Sequence, residues 1–156
     1  MAVINAFSID VEDWFQVSAF APHIDPSSWH ELPCRVERNV DLLLAMLDEA
    51  SVHATFFTLG WIAARYPRTV RRIVDAGHEL ASHGYAHQRA SDQSPEQFRA
   101  DLVHARDVLE QTGGVRVSGY RAPSFSIGSA NAWAHEVIAD IGHRYSSSVF
   151  PVAHDH

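Results

Sequence analysis

The chain has 156 residues and a mass of 17.4 kDa, with 46% hydrophobic and 20% charged residues, a mix that fits one soluble globular domain. Its net charge of -7, without a basic run, argues against nucleic acid, whose phosphates it would repel, and against a charged membrane surface. The lone Cys34 excludes an internal disulfide, and no apolar run approaches the roughly 20 residues needed for a transmembrane segment.

Val3 to Ile9 reads as a buried strand rather than a signal peptide, because no basic region precedes it; a cytoplasmic location is expected. It ends in the acidic run Asp10-Val11-Glu12-Asp13-Trp14. A loop rich in Pro, Ser and aromatics follows, from about Phe15 to Pro33. Val36, Val40, Leu43, Leu44 and Leu47 recur at helical spacing and predict a helix over Val36 to Ala50. Ala54 to Leu59 is β-branched and aromatic, a second strand closed by Gly60. Tyr66-Pro67 starts a helix with Val70, Ile73 and Val74 inward, stopped by Gly77. His78 to Ser82 is a short third strand. Ser94-Pro95-Glu96-Gln97 carries a cap, a first-position proline and a capping-box glutamine; the helix it opens ends at Gly113-Gly114. Val115 to Tyr120 is a fourth strand, Asn131 to Ile141 a helix, and Tyr145 to Val149 a fifth strand.

Strand and helix alternating in this way imply an α/β fold, a parallel sheet with helices outside it. Ligands in such folds gather at the carboxyl ends of the strands. Asp10, Glu12 and Asp13 follow strand one, His83 and His87 follow strand three, and Arg121 follows strand four, so all land on one rim. In Ser82-His83-Gly84-Tyr85-Ala86-His87, two imidazoles four residues apart meet one ion if the backbone between them makes about one helical turn. In a chain with 11 histidines such a pair arises easily by chance; the carboxylates on the same rim are what raise it to a site. One carboxylate would ligate and another would take a proton from water that the ion makes acidic, lowering its pKa toward ~7. Arg121 is expected to ion-pair with Asp10. Cys34 and the remaining histidines, His23, His30, His53, His78, His104, His135 and His143, read as bystanders.

The motifs SIDVEDW, SHGYAH and YRAPSF, in this order, resemble those of the polysaccharide deacetylases of the NodB-homology type (carbohydrate esterase family 4). Within it, they resemble most the branch linked to exopolysaccharide gene clusters, with DVED in its first strand. The resemblance implies a distorted (β/α) barrel, here an incomplete one of about five parallel strands, with residues 1–156 forming the N-terminal part of one domain. It implies a divalent ion, Zn2+ or alternatively Co2+, Ni2+ or Mn2+. Asp10 would be the general base, Arg121 its orienting partner, and His83 and His87 the imidazole ligands. For the third ligand Asp13, which keeps the family's residue type, comes first, with Glu12, which alternation returns to the face of Asp10, as the alternative carboxylate. Trp14 and Tyr85, next to the ligands, would contact sugar rings, and the loop of Pro123 and Phe125 would meet the substrate and offer backbone N–H groups to the oxyanion. The chain departs from the family in placing Gly84, without a hydroxyl, directly after the first ligand histidine. The later family motifs, including the histidine that serves as general acid, have no counterpart, and neither His154 nor His156 stands in such a context. The implied activity is removal of acetyl groups, N-acetyl above all, from a polysaccharide or oligosaccharide; a related C–N hydrolase of small amides and a non-catalytic metal- or glycan-binding module are the alternatives.

Overall fold

In the computed structural model, residues 5–150 are described. Five strands form one parallel sheet: β1 (Ser8–Val11), β2 (Thr55–Thr58), β3 (Glu79–Ser82), β4 (Gly119–Tyr120) and β5 (Tyr145–Ser146). They lie side by side in chain order, each hydrogen-bonded to its predecessor. The connections carry α1 (Val36–Ala50), α2 (Gly60–Arg65), α3 (Pro67–Asp75), α4 (Pro95–Gly113) and α5 (Trp133–Asp140).

Alternation along the strands sorts their two faces. Ile9, Val11 and Phe56 turn outward and pack with Val36, Val40, Leu47, Ile62 and Ile73 from the first three helices. Leu80 meets Val70 and Leu109, and Tyr120 meets Phe98, Leu102 and Ile138. The opposite face carries Asp10 and Phe57, which touch the Arg121 side chain, and Phe57 also lies edge-on to Tyr145 of β5. β1 and β4 are three strand spacings apart, about 14 Å in a flat sheet, more than an arginine side chain spans. Arg121 nevertheless reaches Asp10 and Ser8, so the sheet is rolled up with this face inside. The five parallel strands in an α/β fold are as the sequence predicts, and the rolled sheet is consistent with the incomplete barrel that the family resemblance implies.

Several boundaries differ from the sequence reading. β1 begins at Ser8, so Asp10 sits within the strand rather than after it; Val3 and Ile4 lie outside the described residues. β4 holds only Gly119 and Tyr120, because the backbone at Val117 is taken by the Glu110 side chain instead of the ladder. The segment after Trp14 contains three short 3-10 turns, Trp14–Gln16, Ser18–Phe20 and Pro26–Glu31. Gly60 does not close a strand; it opens α2, a helix too short for a periodicity signal.

The start of α4 follows the capping box closely: the Ser94 hydroxyl accepts from Gln97 N–H, and the Gln97 side chain accepts from Ser94 N–H. Ser94→Ala removes one of these bonds at an exposed position and should cost about 1 kcal/mol, a fall in Tm of about 2–4 °C by thermal denaturation. A Tm equal to that of wild type would mean that proline and tertiary packing alone hold the end of α4.

Candidate metal and hydrolytic site

β1 delivers Asp10 and then Glu12 to the interior face, two residues apart on one side of an extended chain. β3 ends at Ser82 and passes directly into His83. The loop from His83 to His87 is not a helical turn, contrary to the spacing argument: Gly84 has φ +76° and His87 φ +54°, both left-handed. A side chain at Gly84 would also place its Cβ 2.9 Å from Asp101 Oδ2, so glycine is required there sterically as well as conformationally.

Backbone contacts hold this loop. Gly60 N–H and Trp61 N–H, the first amides of α2, donate to the carbonyls of Gly84 and Tyr85 at 2.9 and 3.0 Å. Tyr85 N–H donates to both oxygens of Asp101, a carboxylate on α4 whose burial raises its pKa against the opposing pull of that same N–H. Neither α2 nor Asp101 is visible as a site feature in the sequence.

The result brings Glu12, His83 and His87 together, with one ligand atom from each within 4.8 Å of the others. His83 Nδ1 lies 2.8 Å from the Arg121 carbonyl. A carbonyl only accepts, so Nδ1 carries the proton and Nε2 keeps its lone pair for the cluster. Burial lowers the His83 pKa, partly offset by the nearby Asp10 carboxylate, and this favours the neutral, ligating form. Burial raises the Glu12 pKa, but His87 and His83 more than offset it, and the carboxyl is held below its ordinary value. Glu12 Oε2 is 2.7 Å from His87 Nε2 yet buried without a hydrogen bond of acceptable geometry. Donor atoms crowded in this way, two imidazoles and a carboxylate, suit a zinc-like divalent ion.

Asp13, the first-choice third ligand from the sequence, is elsewhere. It follows Val11 on the outward side, only 4% exposed, and its carboxylate accepts from Trp14 N–H at 2.8 Å, Val36 N–H at 2.9 Å and Arg35 N–H. It caps the turn at Trp14 and anchors the start of α1; Glu12 occupies the cluster in its stead. The Asp10–Arg121 ion pair, by contrast, is formed at 2.7 Å. Arg121 also bonds Ser8 and Ser147, and its guanidinium stacks 4.1 Å over the Phe57 ring.

The cleft over the cluster has a volume of about 310 Å³ and is lined by Asp10, Glu12, His83, His87, Val17, Ser18, Arg89, Ser124 and Phe125 among others. Roomier hollows exist on the outer surface, such as one of about 690 Å³ along α4, but none gathers such a cluster among the described residues. Of the expected sugar contacts, Phe125 lines the cleft. Trp14 does not: its Nε1–H donates to the Pro33 carbonyl, and its ring packs on Phe15 and Phe20. Tyr85 turns its ring to His104 of α4, 4.2 Å away, and Pro123 is buried in its turn. Ser124 and Phe125 both have positive φ, 55° and 49°, a strained pair for non-glycine residues. Phe125 N–H and Ser126 N–H donate to Ala122 and Pro123, so the amide of this turn left for a ligand is that of Ser124.

Comparison with known proteins decides the family. The family model described as "Polysaccharide deacetylase" matches residues 29–146. This chain belongs to the polysaccharide deacetylase family. It is 32% identical over 83 residues to a peptidoglycan-N-acetylglucosamine deacetylase of Bacillus cereus, covering 53% of this chain and 28% of that protein. It is 27% identical over 97 residues to a chitooligosaccharide deacetylase of Bradyrhizobium, covering 62% of this chain and 42% of that protein. Among solved structures, a putative polysaccharide deacetylase from Mycobacterium smegmatis superimposes with a TM-score of 0.75 at 32% identity, over 92% of this chain and 50% of that one. The chain therefore spans at most half the length of these relatives.

The roles of Glu12 and Asp13 separate in two measurements. Glu12→Ala should weaken Zn2+ binding strongly in calorimetric titration while leaving the metal-free stability close to wild type. Asp13→Ala should do the opposite, costing about 1–3 kcal/mol of stability through orphaned backbone amides. Stronger loss of Zn2+ affinity in Asp13→Ala would return that residue to the ligand set.

Proposed function

We infer that the site serves metal-dependent hydrolysis of acetyl groups, N-acetyl in particular, on a polysaccharide handled in exopolysaccharide biosynthesis. The observation that carries this reading is the placing of a carboxylate held by arginine, Asp10, in one cleft with the Glu12, His83 and His87 cluster. Binding metal or glycan alone calls for no base beside the ligands. The family and the deacetylase relatives, named for peptidoglycan and chitooligosaccharide, support the reaction class.

Glu12, His83 and His87 would hold the ion. When bound, a divalent ion supplies Lewis acidity, polarising an acetyl carbonyl and acidifying water. Asp10 accepts the proton of the attacking water, and Arg121 fixes the orientation of that carboxylate through its bond to Oδ1. Ser124, which lines the cleft, would offer the loop's open amide to charge developing on the carbonyl oxygen. Phe125 covers one wall of the cleft against solvent. The group that protonates the leaving amine is proposed to come from a part of the protein outside the 156 residues, as the half-length matches to relatives suggest.

Asp10→Asn keeps the shape of the side chain and one acceptor for Arg121, so Zn2+ affinity should stay within a few-fold of wild type. Acetate release from chitin oligomers by the whole protein should drop by about 10²–10⁴. A turnover within a few-fold of wild type at saturating metal would remove Asp10 from the role of base.

Zn2+ affinity should also fall at low pH, because protons compete with the ion for His83, whose burial lowers its pKa and so shifts that loss below the ordinary imidazole range. Titrations carried below that range test this; an affinity independent of pH would exclude His83 as a ligand.

A further inference from the structure

Behind His87, the metal cleft opens into a second hollow of about 450 Å³, within the size range of small-ligand sites. It lies between the 3-10 turns after Trp14 and the chain following His87; Ser18, His87 and Arg89 belong to both spaces. Every other charge facing the cleft has a partner: Asp10 pairs with Arg121, and Glu12 lies against His87. The Arg89 guanidinium has no hydrogen bond, ion pair or ring contact among the described residues, although the side chain is half-buried at the junction. The wall of the second hollow adds Gln16 and Trp29, whose buried Nε2 and Nε1 donors have no partner either. Gln16 is oriented by its Oε1, which accepts from Asp13 N–H, so it is the donor end that is left over. One acid, Asp92, also lines this hollow; its carboxylate takes the Ser91 hydroxyl and makes no ion pair with Arg89.

An unpaired guanidinium beside N–H donors recognises an oxygen anion, and its fork matches a carboxylate. A doubly charged phosphate would meet Glu12, Asp10 and Asp92 with its second charge, so a singly charged group fits better. We propose that Arg89 and the hollow behind His87 form a subsite for a sugar bearing a carboxylate, which makes the preferred substrate an acidic acetylated polysaccharide. This rests on the reading of the site as a glycan deacetylase.

The test uses a matched pair: an N-acetylglucosamine oligomer, and the same oligomer oxidised at C6 of alternate residues to the uronic acid. Affinities for both are measured calorimetrically on the Zn2+-loaded whole protein. The acidic oligomer should bind about tenfold tighter or more, the size of one charge-assisted hydrogen bond, with the gap shrinking as salt is added. Arg89→Gln should bring the acidic-to-neutral ratio close to one, and Arg89→Lys, a charge without the fork, should keep part of it. Equal affinities in wild type overturn the proposal, as does an unchanged ratio in an Arg89→Gln chain that circular dichroism shows to be folded. If neither oligomer binds, the deacetylase reading itself fails and the subsite fails with it; if the neutral one binds as well as the acidic one, only the subsite fails.

Discussion

Arg121 joins the parts of this molecule that matter for chemistry. Its N–H continues the sheet by donating to Ser82, its carbonyl fixes the tautomer of His83, and its guanidinium pairs with Asp10 across the rolled interior. One residue thus ties the strand that carries Asp10 to the strand that leads into His83. The geometry is exacting because the pair spans 111 positions of sequence and three strand spacings. Removing the guanidinium would leave a half-buried carboxylate without its partner, and the penalty for such an orphan commonly exceeds the net worth of the pair itself. Stacking on Phe57 and Phe125 adds to the fixation, since a planar cation over a ring face cannot swing freely.

The loop from His83 to His87 is held for a different reason. Gly84 takes left-handed backbone freely, whereas the same conformation at His87 persists only when surroundings over-determine it. Here the surroundings are α2, whose first two amides seize the loop carbonyls, and Asp101, which takes the one amide facing α4. Glycine after His83 fits this scheme: backbone amides and a remote carboxylate hold a loop that a neighbouring hydroxyl could otherwise steady. The cost of burying Asp101 is borne by α4, so the strain and its support stand on separate elements.

Much of this was legible in the residues. The order of strands and helices, the rim shared by DVED, SHGYAH and YRAPSF, and the Asp10–Arg121 pair follow from periodicity and from the placement of charges at strand ends. Asp13 was misplaced because residue type was weighed above alternation; Val11 and Asp13 face outward together, and Glu12 returns inward with Asp10. Trp14 and Tyr85 look like sugar platforms beside the ligands, but their rings are claimed by packing on Phe20 and His104, which no local pattern encodes. α2 escaped because six residues give too little periodicity, and Asp101 because a buried acid on an amphipathic helix reads as solvated surface until the loop it binds is seen.

The strands stand in the sheet in the order in which they occur in the chain. A chain built in this way can assemble in one direction, each strand docking on the edge left by the one before, with no later segment inserted between earlier ones. Asp10 is then among the first groups fixed and waits, hydrated, until the fourth strand brings Arg121 across. β4 and β5 contribute two residues each, the shortest stretches of the ladder. The last part to form is therefore also the first to open, and a local fraying there would release both the Asp10 carboxylate and the His83 ring from Arg121 while β3 itself stays paired with β2.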